Sequence, residues 1–98
     1  MKLDFSKKIL GVKGEAIKQQ DETDMTLGGV TANALLSVFD SERNLDGASK
    51  AKRFKLAMRV IDGGEQDLQV EEVAEIKKVI ALAYGPLIVG RAYEIIEA

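Results

Sequence analysis

A chain of 98 residues has room for one hydrophobic core and not for two. Hydrophobic residues at 46% and charged residues at 31% suit a soluble globular domain rather than a disordered chain, and a formal net charge of -2 gives no strong overall attraction to a polyanion. Cysteine and histidine are both absent, which excludes disulfides, thiolate nucleophiles, imidazole bases and the usual zinc and haem ligands.

In chain order, the opening Met1-Lys2-Leu3-Asp4-Phe5-Ser6-Lys7-Lys8 has charges spread through it and no apolar run of signal-peptide length. No segment elsewhere is long and apolar enough to span a bilayer: the longest, Val79 to Gly90, is broken by Gly85-Pro86. A cytoplasmic protein, with no membrane partner, is the expectation. Short apolar segments on either side of Gly14 predict a β-hairpin, with strands near Lys8 to Gly11 and Glu15 to Lys18. Two strands alone are marginal in water, so this hairpin must rest on the helices or pair with a partner. Gln19 to Asp24 reads as an exposed polar loop.

Thr26 is placed to cap a first helix over 27–39, with Leu27, Val30, Ala34, Leu35, Val38 and Phe39 on one face. Gly28 and Gly29 weaken its first turn, by about 1 kcal/mol each relative to alanine, and close approach of another backbone would explain them. Asp40 to Gly47 is a polar connector. Ser49 is placed to cap a second helix running to about Ile61, with Phe54, Ala57, Met58 and Ile61 inward and Leu56 and Val60 beside them. Asp62-Gly63-Gly64 stops it.

The third helix has the clearest start. Leu68 can pack on Val73 around a cap at Gln69, and Glu71, Glu72 and Glu75 place negative charge at the positive end of the helix dipole. Val73, Ile76, Val79, Ile80 and Ala83 form its inward face. Tyr84-Gly85-Pro86 breaks it, and proline favours the first turn of a fourth helix, Pro86 to about Glu97, with Leu87, Ile88, Ala92, Ile95 and Ile96 inward. The expected fold is a single mainly α domain over 1–98: an N-terminal hairpin within 1–20, and a small bundle of about four short helices over 26–98.

Two surfaces stand out as places where a partner would bind. Lys50, Lys52, Arg53, Lys55 and Arg59 put five of the fourteen positive charges within ten residues, a face able to contact phosphates or an acidic partner, or simply to be solvated. Tyr84, Arg91 and Tyr93, around the Gly-Pro break, are residue types enriched at binding hot spots, although in a chain with five aromatics core or boundary packing is the more ordinary use of the tyrosines. The alternating oxygens of Asp40, Glu42, Asn44 and Asp46 imitate a calcium loop, but Leu45 and Ala51 stand where that loop needs glycine and a bidentate glutamate. Glu71, Glu72 and Glu75 are accounted for by the helix dipole, and the glycines fall into no phosphate-binding pattern. No catalytic residue, metal site or cofactor is expected, and the chain reads as a non-enzyme.

The hairpin Ile9 to Ile17, the helix opening Met25-Thr26-Leu27-Gly28, the run Lys52-Arg53-Phe54-Lys55-Leu56-Ala57, and Ile76-Lys77-Lys78 followed by Tyr84-Gly85-Pro86-Leu87-Ile88-Val89-Gly90-Arg91-Ala92-Tyr93-Glu94 occur in an order that resembles a group of small proteins encoded by tailed bacteriophages and prophages. Nearly the whole chain takes part, and the shared motifs are structural. The group has no assigned activity, so the resemblance implies context rather than chemistry: expression in an infected bacterium, and a part in virion assembly or in manipulating a host protein. Gln69 stands where serine or threonine would be expected in such relatives, a departure that touches a helix cap. Two functions are therefore carried forward. One is a non-enzymatic interaction module, an assembly factor resembling a tail-assembly chaperone or a binder of a host protein, for which a homodimer is compatible. The other is a nucleic-acid-associated regulator using the basic helix.

Overall fold

The computed structural model describes residues 1–98, and the fold is mainly α: four helices with a small antiparallel β element on the N-terminal side. The chain opens with β1 (Lys2–Asp4), which pairs antiparallel with β2 (Glu65–Asp67), Leu3 opposite Gln66. Leu68 N donating to Met1 O and Phe5 N donating to Gly64 O extend the pairing past both ends. Leu3 and Phe5 point into the core from this ladder.

The reversal expected around Gly14 is present. Gly14 takes a φ of 82°, Gly11 N donates to Glu15 O at 2.8 Å, and Leu10 and Ala16 form an antiparallel bridge. A third pass of the chain then comes alongside, with Ile9 N donating to Met25 O and Met25 N to Ile17 O. This region is a set of single bridges rather than two regular strands, and the regular ladder lies between β1 and β2 instead. Glu-Gln-Asp has no β-branched or aromatic residue to mark it as a strand, so β2 read as loop.

Helix α1 (Leu27–Leu35) begins where expected: Thr26 Oγ1 accepts from Gly29 N at 3.1 Å. It ends four residues before the predicted Phe39. Ser37 turns back on the last turn, its N donating to Ala34 O and its hydroxyl to Asn33 O, and Val38 swings out to 90% exposure. Nearly all of α1 is buried, because it packs on both neighbouring long helices. Gly28 permits this. A Cβ there would stand 2.4 Å from Val60 O and 3.0 Å from Phe5 O, so the close backbone approach inferred from sequence is real at this glycine. At Gly29 the nearest atom would be the Thr26 hydroxyl at 3.5 Å, and no such approach exists.

After a short 3-10 turn at Asp40–Glu42 comes α2 (Gly47–Val60), capped by Asp46, whose carboxylate accepts from Ser49 N at 2.8 Å, rather than by Ser49 itself. Its core face is Arg53, Leu56, Ala57 and Val60. Phe54, Met58 and Ile61, expected inward, are exposed. Helix α3 (Val70–Ala83) starts as read, with Leu68 buried, Val73 half-buried against the core and Glu72 accepting from Gln69 N at 2.9 Å; Ile76, Val79 and Ile80 are buried. Gly85 precedes α4 (Pro86–Ile96), which lies on α3 and buries Ala92 and Ile96, with Ile88 and Ile95 partly covered. Leu87, expected inward, is 41% exposed. No helix is long and apolar enough to cross a membrane.

Candidate functional site

The five basic residues of α2 do not share one face. Arg53 is in the core, only 5% exposed, where its Nη1 and Nη2 donate to the two carboxylate oxygens of Glu42 at 2.8 Å each and its Nε donates to Glu75 Oε1 at 2.6 Å. A planar guanidinium matches a carboxylate in this bidentate way, so the 3-10 turn and α3 are both fastened to α2 through one side chain. Lys78 reaches the same Glu42 at 3.0 Å. Hydrogen bonding from Arg53, then from Lys78, holds the Glu42 carboxyl down at about 2 despite its burial.

Arg59 is likewise engaged, its Nη1 donating to Glu72 Oε2 at 2.7 Å and its Nη2 to Asp67 O at 3.0 Å. Lys52 and Lys55 lie along the groove between α2 and α3, facing Glu71, Glu72 and Glu75 across it. Lys50 is on the other side of α2, at a hollow of about 190 Å³ shared with Leu36, Val38 and Phe54. Two of the glutamates assigned to the helix dipole therefore have a second role, Glu75 as counter-ion to Arg53 and Glu72 to Arg59, while Lys52 and Lys55 form no ion pair. Nowhere do three acidic side chains come together as a metal would require.

Tyr84, Arg91 and Tyr93 are also dispersed, and each ties elements together. Asn33 Nδ2 on α1 donates to Tyr84 Oη at 2.7 Å. Arg91 Nη2 donates to Gly11 O at 2.8 Å, fixing α4 to the turn before Gly14, while Glu94 lies within 3.3 Å of the same guanidinium. Tyr93 Oη donates to Lys77 O at 2.8 Å, and the Lys77 ammonium sits 4.8 Å from the centre of its ring.

The surface that sequence reasoning missed is the outer face of α2. Phe54, Met58 and Ile61 are 54%, 42% and 47% exposed, and Leu36 and Val38 adjoin Phe54 around the hollow. The signal was present in the sequence as two interleaved apolar stripes. One is 53, 56, 57 and 60, the other 54, 58 and 61, and the charge of Arg53 disguised the first as the solvent side. Comparison with protein-family models, with curated proteins and with solved structures finds no match for this chain.

Proposed function

We propose that the chain is a non-catalytic protein-interaction module, acting in the cytoplasm of a bacterial host on a phage structural protein or a host protein, in the manner of an assembly factor. The observation that carries the binding role is the group of large apolar side chains left uncovered on one face: Phe54, Met58 and Ile61 along α2 and Leu36 and Val38 beside them. Single exposed apolar residues are ordinary, but several adjoining ones mark a place where another surface is to be received. The phage setting rests on the sequence resemblance alone.

The test places a photo-activated cross-linking residue at Met58 of the full chain in phage-infected bacteria, and a second at Val70, which is 78% exposed elsewhere. One phage or host protein attached at Met58 and not at Val70 is the expected result. No adduct at Met58, or the same adducts at both positions, would sink the proposal.

The nucleic-acid reading is favoured by one observation: Lys50, Lys52 and Lys55 are exposed and outside every ion pair in the molecule. Three lysines releasing counterions give a log-log salt slope no steeper than about -3 on duplex DNA. Binding to DNA with that slope, lost on changing the three lysines to glutamine, would support it.

A further inference from the structure

The outer face of α2 has a spacing that the core does not require. Gly47, Ala51, Phe54, Met58 and Ile61 follow one another at intervals of four, three, four and three, and all five are exposed. That alternation is the heptad pattern, which keeps one seam turned toward a second helix over its whole length, whereas the stripe α2 buries, packed on α1, is 53, 56, 57 and 60. From Gly47 to Ile61 the seam is about 21 Å long at about 1.5 Å per residue, two heptads of a partner.

Charge decides what the partner is. Lys50 flanks the seam on the side of α1, where it shares the hollow with Leu36, Val38 and Phe54, and Lys55 flanks it on the side of α3. Neither has a carboxylate partner, and the one acidic flank, Asp62, lies beyond the last turn. A second copy fits poorly here. Two parallel seams would set Lys50 of one chain against Lys55 of the other, and the antiparallel pairing that overlaps the whole seam sets Lys55 against its own copy.

We infer that the face of α2 from Gly47 to Ile61 docks a single amphipathic helix of a different protein, whose apolar seam is edged by glutamate or aspartate. The inference rests on the reading of the chain as an interaction module and specifies the partner's chemistry. Phe54 is the central anchor, with the hollow toward Val38 receiving a large apolar side chain of the incoming helix, and Lys50 and Lys55 clamp its two acidic edges.

Two synthetic three-heptad peptides test it, with isoleucine and leucine on the seam and either glutamate or lysine at both flanking positions, titrated into the full chain at low salt with fluorescence anisotropy as readout. The glutamate peptide is expected to bind at least ten-fold tighter than the lysine peptide. The double variant Lys50→Glu/Lys55→Glu is expected to reverse that order, and Phe54→Asp to abolish binding with an unchanged circular dichroism spectrum, while Val70→Asp leaves it intact. Equal binding of both peptides, binding of neither, or indifference to the lysine reversal would overturn the inference, as would a dimer by sedimentation that Phe54→Asp disperses. If neither peptide binds but the Met58 cross-link still captures one protein, the helical partner is wrong and the interaction module stands; if both fail, both are wrong.

Discussion

Two polar side chains, one buried and one mostly covered, set the residue-scale energetics in opposite ways. The hydroxyl of Thr31 lies in the middle of α1 with no exposed surface and no hydrogen-bond partner. Burying a hydroxyl without compensation is unfavourable, so Thr31→Val, which keeps the shape and nearly the same helix propensity, is expected to raise stability by about 1 kcal/mol. Urea unfolding should show a higher midpoint at unchanged slope; a lower midpoint would mean the hydroxyl is satisfied. Glu42 is the contrary case, a carboxylate fully supplied with donors. Its folded value of about 2 is depressed from the ordinary 4.5, so the stability it contributes is complete above the ordinary value and is lost as pH falls toward 2. Urea midpoints taken from about pH 6 down to about pH 2.5 should fall across that window, and Glu42→Gln should flatten the fall. What slope remains belongs in part to Asp24, held at about 2 by Lys18 and then Lys8.

Among the elements, α1 and α4 respond oppositely to the same substitution. Gly28→Ala would gain about 1 kcal/mol of helix propensity. It would also drive a methyl into the Val60 and Phe5 carbonyls, which are backbone and yield little, so a net loss of about 1–3 kcal/mol is expected. Gly90→Ala in α4 meets nothing within 4 Å and is expected to gain about 0.5–1 kcal/mol. Calorimetry should move the two melting temperatures apart, by about 4–8 °C for each kcal/mol. The starts of α1, α3 and α4 were legible in the sequence because their chemistry is local: Thr26 and its Gly29 amide, the Gln69 and Glu72 pair, Pro86 after Gly85; at α2 the cap is Asp46, three residues before the expected Ser49. The end of α1 was not, because Val38 and Phe39 keep helical spacing while Ser37 has already closed the last turn. Nor was the facing of α2. An arginine at the centre of a buried stripe is intelligible only once Glu42 and Glu75, from two other elements, are seen to converge on it. The same error hid the candidate surface, since assigning Phe54, Met58 and Ile61 to the core left nothing on the outside for a partner to touch.

On the scale of the whole molecule, charge is sorted rather than balanced. The glutamates of α3 answer the arginines of α2 along one groove, while Lys50, Lys52 and Lys55 stay unpaired, so a chain of net charge -2 presents a locally cationic edge. Composition gives the net charge and cannot predict the sorting, which depends on which helix lies next to which. The β1–β2 ladder is non-local in the same sense. Because Leu3 pairs opposite Gln66, a ribosome adding about 5–20 residues each second leaves β1 without its mate for roughly 3 to 13 seconds of synthesis. Leu3 and Phe5 thus wait through that interval for the strand that shelters them, and the nascent chain carries these two apolar side chains bare until β2 has been made.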